Sequence, residues 1–272
     1  MRAAAHRAAH QVIEQGRVFA DPLALAVLGA NPQAVFGERI DRPGTRGMRL
    51  LIAARSRFAE QSLTAAVARG VRQYVLLGAG LDTFAHRNPF EREGLRVFEV
   101  DHPATQAWKR ERLAAAGMAA PASLTFAPTD FERQTLADGL AAAGFDAAQP
   151  AVFAWLGVVI YLTRPAVLET LAFIASLPAG SEVIFDYGVP LASYPPAERA
   201  FHARREARVA AMGEPWITRF SPGEIAAELT RLGFDEIEDL GPADILRRFQ
   251  GVEAADGPGA HLIRAARRAT PA

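Results

Sequence analysis

Cysteine is absent from this 272-residue chain. Disulfides, thiolate metal sites and cysteine nucleophiles are therefore excluded. Lysine occurs once, at Lys109, and every other basic residue is arginine. That bias in composition lowers the weight of any arginine cluster. No excess charge is present, with 30 Lys and Arg against 30 Asp and Glu, so the basic footprint that nucleic acid demands is missing. No apolar run approaches the roughly 20 residues of a membrane span, and residues 1–30 lack the continuous apolar core of a signal peptide. Neither G-x-S-x-G nor Tyr-x-x-x-Lys occurs, which disfavours an α/β-hydrolase and a proton-relay oxidoreductase. What remains is a chain half of whose residues are apolar. It is expected to form a single cytoplasmic domain with neither a nucleic-acid nor a membrane partner, and its oligomeric state is not legible.

The most informative stretch is 73–87, QYVLLGAGLDTFAHR. Tyr74 to Leu77 is a short apolar run that stops at Gly78-Ala79-Gly80, as a buried parallel strand opening into a turn would. Glycine there lets the backbone pass close beneath a ligand. In open α/β sheets ligands sit beyond the carboxyl ends of the strands. A dinucleotide fingerprint, G-x-G-x-x-G, would need glycine at position 83, where Thr83 stands. Asp82 is also a poor neighbour for a diphosphate and suits a cationic ligand or one bound through hydroxyl and amino groups. S-adenosylmethionine, with a sulfonium, an amino group, a ribose and no phosphate, meets that description.

Later strand ends agree. Residues 96–101, RVFEVD, read as a second strand, and Asp101 lies 23 positions after Gly78. That is near the spacing at which nucleoside-binding α/β units place an acceptor for ribose hydroxyls. Glu99 also fits by spacing. Residues 124–127 read as a third strand, followed by Asp130-Phe131, an acidic–aromatic pair suited to an adenine amino group and ring or, equally, to a helix cap and a core phenylalanine.

Elsewhere, 2–30 carries helical spacing interrupted at Asp21-Pro22, 31–46 reads as loop, and 50–68 as an amphipathic helix. Strands are expected at 151–155 and 182–185. A helix is expected at 165–176, with Thr163 as its N-cap region and 178–180 as its stop. Helices at 195–212 and 222–232 follow, the former carrying Phe201, His202 and Met212 as a candidate lid. Residues 234–240 and 260–266 read as a terminal hairpin pair. This alternation predicts a doubly wound, mostly parallel sheet, with helices over 1–70 and the sheet and remaining helices over 71–272. His6 and His10 have a zinc-compatible spacing, but no third ligand accompanies them, and they read as part of a mobile N-terminal surface with no metal.

Residues 77–83 (LGAGLDT), 98–103 (FEVDHP), Lys109, Asp130 and 155–162 (WLGVVIYL) together resemble the leucine carboxyl methyltransferase family. The resemblance is nearer to its bacterial branch, which includes polyketide carboxyl O-methyltransferases, and it runs from about Arg2 to beyond Tyr187. It implies a seven-stranded, Rossmann-like class I methyltransferase sheet with an antiparallel last strand and an N-terminal helical cap. It also implies S-adenosylmethionine as cofactor and a small-molecule acceptor in specialised metabolism. By this resemblance Gly78, Ala79 and Gly80 lie beneath the methionine part, Asp101 holds the ribose, His102 adjoins it, and Asp130 with Phe131 frames the adenine. Arg55 matches the arginine that clamps the cofactor carboxylate, a planar group suited to a guanidinium. Leu156 stands where some relatives carry glutamate. Phe84 replaces an arginine common after the D-T pair, and Arg87 keeps the second one. Tyr161 and Tyr187, expected after the fourth and fifth strands, are candidates to orient the acceptor, with His102 a further one. A carboxylate nucleophile, ionised at neutral pH, needs no general base, whereas a phenol would want one. Carboxyl methylation is therefore the favoured reaction. An NAD(P)-dependent oxidoreductase and a cofactor-binding protein without transfer activity are the alternatives.

Overall fold

The computed structural model describes residues 2–29, 31, 37, 40, 42–131 and 133–268. Seven strands form one sheet in the order β3-β2-β1-β4-β5-β7-β6, giving the α/β class and strand number expected. The chain divides into two compact units, residues 1–154 and 155–272. The division expected at residue 70 is one of secondary-structure type rather than compactness.

In the first unit, α1 (Arg2–Ile13) and α2 (Ala24–Leu28) precede the long α3 (Pro43–Ala68). The break between α1 and α2 is wider than Asp21-Pro22 alone suggests. Much of the 31–46 segment lies outside the described residues, but α3 begins at Pro43, well before residue 50, because proline is at ease in a first helical turn. β1 (Gln73–Leu77), β2 (Arg96–Asp101), β3 (Leu124–Pro128) and β4 (Val152–Trp155) follow. β1 pairs in parallel with β2 (Gln73↔Arg96 to Leu77↔Val100) and with β4. β2 pairs in parallel with β3, ending at Asp101↔Pro128. All five residues of β1 are buried, as expected of a parallel strand covered on both faces. α4 (Pro103–Ala115) and α5 (Leu136–Ala142) connect these strands, and α5 starts in a reciprocal capping box of Thr135 and Asp138. Alanines of α1 let it approach closely. Ala4, Ala5 and Ala8 share a core with Val27 and Leu28 of α2, Leu113 of α4, and Leu81 from the segment after β1.

The second unit contains α6 (Arg164–Ser176), β5 (Glu182–Gly188), α7 (Pro196–Ala210), α8 (Pro222–Leu232), β6 (Glu236–Leu240), α9 (Pro242–Gln250) and β7 (Ala260–Ala266). Thr163 caps α6 by accepting from Ala166 N–H. Ser221 and Glu224 form the capping box of α8, which stops at Gly233. β7 runs antiparallel to both β5 and β6. Residues 234–240 and 260–266 thus pair as expected, but they are no simple hairpin, because α9 fills their connection. Its buried Ala243, Ile245 and Phe249 give it a clear inner face. β5 is longer than expected: Tyr187 lies within it, opposite His261 of β7, rather than after it.

Candidate functional site

Three strand ends of the first unit are tied together by hydrogen bonds. The chain leaves β1 with Gly78 N–H donating to Val100 O (2.8 Å) and Ala79 N–H to the same carbonyl (3.2 Å). Gly78 and Gly80 hold φ of 67° and 49°, a region that side chains with a Cβ disfavour. Gly80 N–H then donates to Asp101 Oδ2 at 2.7 Å, while Asp101 Oδ1 accepts from His102 N–H at 2.8 Å. Beyond β3, Thr129 N–H donates to the Asp101 carbonyl at 2.9 Å, which sets Asp130 beside that strand end. Positions 78 and 80 thus lie at the end of β2 with Asp101, and Asp130 follows the residue bonded to that same end. Each Asp101 oxygen uses one acceptor site, and the half-buried carboxylate keeps capacity for further donors. Gly78 is exposed and Ala79 half-buried. Phe131 is 60% exposed, a free aromatic face next to half-buried Asp130, whose carboxylate lies 3.4 Å from Arg133.

His102 caps α4, its Nδ1 accepting from Ala104 N–H at 3.2 Å, and its ring is exposed. Arg55 is half-buried on α3, and its charge is felt by His6. Arg57, two residues on, donates to Val18 O at 3.3 Å.

Asp82 and Thr83 take a different part from the one their sequence suggests. Asp82 accepts from Phe84 N–H at 2.7 Å and faces Arg7 at 3.7 Å. Burial pushes its carboxyl up, but Arg7, Arg87, Lys109 and the Phe84 amide outweigh that and hold it below the usual range. Its charge is met by the protein's own cations, so it is not reserved for a cationic ligand. Thr83, which occupies the place of a third glycine, is fully buried and donates to Asp21 Oδ2 at 2.8 Å. That position is a docking point for the N-terminal segment.

Asp21 is the hub of this docking. Its carboxylate accepts from the Thr83 hydroxyl and Leu23 N–H, and it is ion-paired with Arg7, whose Nε lies 2.8 Å away, and with Arg87, whose Nε lies 3.6 Å away. Arg7 also donates to Leu81 O. Arg87 clasps both oxygens of Glu60 on α3, one of them at 2.8 Å. Arg7, Asp21 and Glu60 carried no signal in the sequence: Arg7 sits in an alanine-rich helix, and Asp21 read only as an interruption. His6 and His10 are buried, not a mobile surface. His10 Nε2 accepts from Val18 and Phe19 N–H, and its Nδ1 meets Glu14 at 3.1 Å. Neither nitrogen is left for a metal. Among the described residues no three His, Asp or Glu side chains form a group able to hold one.

In the second unit, Leu156 is half-buried just after β4, and Gly157 N–H donates to Asp186 Oδ1 at 2.5 Å. Tyr161 is 37% exposed in a single 3-10 turn (Val159–Tyr161). Tyr187 is buried and donates its hydroxyl to Asp239 Oδ2 at 2.6 Å, so it is not a rim hydroxyl in water. Burial, aided by Asp239, holds that phenol protonated. The other oxygen of Asp239 faces His261 Nδ1 at 3.0 Å, and the Tyr187 and His261 rings stack at 5.0 Å. A carboxylate can accept only from a protonated Nδ1, so the tautomer compatible with this contact carries its proton there. Sequence reasoning missed this pair because 22 residues and a helix separate Asp239 from His261.

Against known proteins, residues 1–175 match the leucine carboxyl methyltransferase family. A Bacillus subtilis protein, provisionally named an S-adenosyl-L-methionine-dependent methyltransferase, is 38% identical over 198 residues, covering 71% of this chain and 63% of the relative. A similarly named Frankia alni protein is 38% identical over 168 residues, covering 60% and 58% respectively. The chain thus spans less than two thirds of the length of these relatives. Among solved structures, a provisionally named methyltransferase of Thermobifida fusca superposes with a TM-score of 0.57 at 19% identity, covering 93% of this chain and 94% of that one. A DUF574 family protein from Streptomyces avermitilis gives 0.54 at 17% identity, covering 97% of each chain. At such identities the likeness speaks to the fold.

Proposed function

This chain belongs to the leucine carboxyl methyltransferase family, and from that premise we propose that it is an S-adenosylmethionine-dependent O-methyltransferase of a small-molecule carboxylate. The observation that carries the reading is the union of strand ends around Asp101, where one carboxylate fixes the glycine turn and still has acceptor capacity to spare. That set of groups fits a phosphate-free nucleoside. In this reading Gly78, Ala79 and Gly80 underlie the amino-acid end of the cofactor and Asp101 takes the ribose hydroxyls, with His102 beside them. Asp130 and the open face of Phe131 receive the adenine. Arg55 pairs with the cofactor carboxylate. Leu156 supplies an apolar contact where some relatives are acidic, and Tyr161 and Tyr187 belong to the acceptor side.

When bound, the cofactor supplies a methyl group already activated on a sulfonium. The residues of the chain then have to align the nucleophile and exclude water, since proximity and orientation are the larger part of such a reaction. A carboxylate with a pKa of about 4 is ionised at neutral pH and needs no base. Resemblance to the bacterial branch points to an acceptor in specialised metabolism, and we take the cytoplasm as the default compartment. A hydroxyl acceptor is the second reading, for which His261 would be the candidate base if its Nδ1–H donates to Asp239.

S-adenosylhomocysteine is expected to raise the melting temperature and NAD(P)H to leave it unchanged; the reverse pattern would instead support the oxidoreductase. Labelled methyl donor with carboxylic acids and phenols then separates acceptors, a base-labile product marking an ester. Tight cofactor binding with no transfer to any acceptor would leave a binding protein.

A further inference from the structure

Lys109 is the sole lysine in a chain whose other basic residues are all arginine, and it is 1% exposed. Its Nζ lies 2.6 Å from Glu99 Oε2 and 2.6 Å from the Asp82 carbonyl. Two acceptors converging on one point suit a compact ammonium, whereas the planar fork of arginine spreads its donors apart. Glu99 and Asp101 are two apart on β2, so their side chains leave the same face. Asp101 takes Gly80 N–H directly, and Glu99 reaches the Asp82 carbonyl through Lys109. One face of β2 thus holds the glycine turn at two places, residues 80 and 82. Gln106, on the same helix as Lys109, donates to Glu99 O at 2.6 Å and locks α4 in register with the strand.

Stability alone does not account for this pair. A fully buried ion pair loses much of its attraction to desolvation, and apolar side chains of similar volume usually fill such a space as well or better. Glu99 is not even saturated: its buried Oε1 has no hydrogen-bond partner among the described residues. The pair specifies geometry.

We propose that Lys109 is a positioning residue, its ammonium pinning the exit of the glycine turn to β2 and thereby setting the backbone beneath the amino-acid end of the cofactor. This rests on the cofactor reading above. Two variants test it: Lys109→Arg, which keeps the charge, and the double variant Glu99→Leu/Lys109→Met, which removes both charges. Calorimetric affinities for S-adenosylhomocysteine and for 5′-methylthioadenosine, which lacks the amino-acid end, are compared with hydrogen exchange at the amides of residues 80–83.

Both variants are expected to bind S-adenosylhomocysteine about tenfold more weakly, to keep parental affinity for methylthioadenosine, and to exchange faster at those amides. Unchanged S-adenosylhomocysteine affinity with unchanged exchange would overturn the proposal, and so would equal weakening toward both ligands. Should the double variant fail to fold, Lys109→Arg alone decides. If the parent binds neither ligand, the cofactor reading fails instead, and slow parental exchange that quickens in Lys109→Arg would still uphold the pin.

Discussion

The two units treat charge in opposite ways. Residues 1–154 bury Arg7, Asp21, Arg49, Glu99 and Lys109, together with His6 and His10. In residues 155–272, Glu182 is the only charged side chain that is buried among the described residues. Several ion pairs of the second unit lie outside, as in Arg247 with Asp244 and Arg231 with Glu228, although Arg264 meets the buried Glu182. Each interior cation of the first unit also donates to a carbonyl of a turn or loop: Arg7 to Leu81, Lys109 to Asp82, Arg49 to Ile40. Charge is buried where irregular backbone must be held in one shape. The second unit meets that need with half-buried arginines, as where Arg267 donates to the Ala175 and Leu177 carbonyls, and with helix caps and antiparallel pairing.

The sharpest way to break this contrast is Asp21→Ala. It leaves the guanidiniums of Arg7 and Arg87 without their shared carboxylate, and about 3–5 kcal/mol of stability should be lost, read from the urea midpoint. A loss below about 1 kcal/mol would place the cluster with ordinary surface pairs.

Acid should find the same unit. His6 is held neutral down to about pH 4, first by burial and then by Arg49, Arg55 and Arg2. His10 is lowered too, again chiefly by burial. The unfolded chain binds these protons near pH 6.5, above the folded values, so their contribution is complete above that pH and fades as pH falls toward 4. Urea midpoints should decline across that window, and His6→Gln should flatten the slope. An unchanged slope would remove His6 from the account.

The smallest effects belong to the second unit. Ser221→Ala breaks the capping box of α8 and should cost about 1 kcal/mol. Arg247→Ala, on an exposed pair, should change stability by no more than about 0.5 kcal/mol. Thermal or urea melts of both variants check the ranking, and a larger cost for Arg247→Ala than for Ser221→Ala would invert it.

Legibility followed the range of the interactions. β1, its glycine turn and β2 could be read because each is a local pattern: an apolar run, a break, then a run ending in Asp101. Thr163 at the start of α6 was equally plain. Tyr187 was placed after β5 rather than within it because Asp186 and Gly188 look like a strand's end, and only pairing with residues 260–262 extends the ladder. The helix α9 was passed over between two strands that do pair. Asp82 and Thr83 were weighed against a ligand, yet their partners, Arg7 and Asp21, lie more than 60 residues upstream. The histidines at 6 and 10 read as a surface because nothing local says that a helix rich in alanine will be buried.

The positions of the strands along the chain, the turn at 78–80 and the acidic residue after it were written in the sequence, since hydrophobic period and glycine act over a few residues. Which carboxylates face a ligand and which face the protein's own cations was decided only by folding. That choice depends on distances between segments far apart in sequence, and for a buried charge a few ångströms separate a satisfied partner from an exposed acceptor.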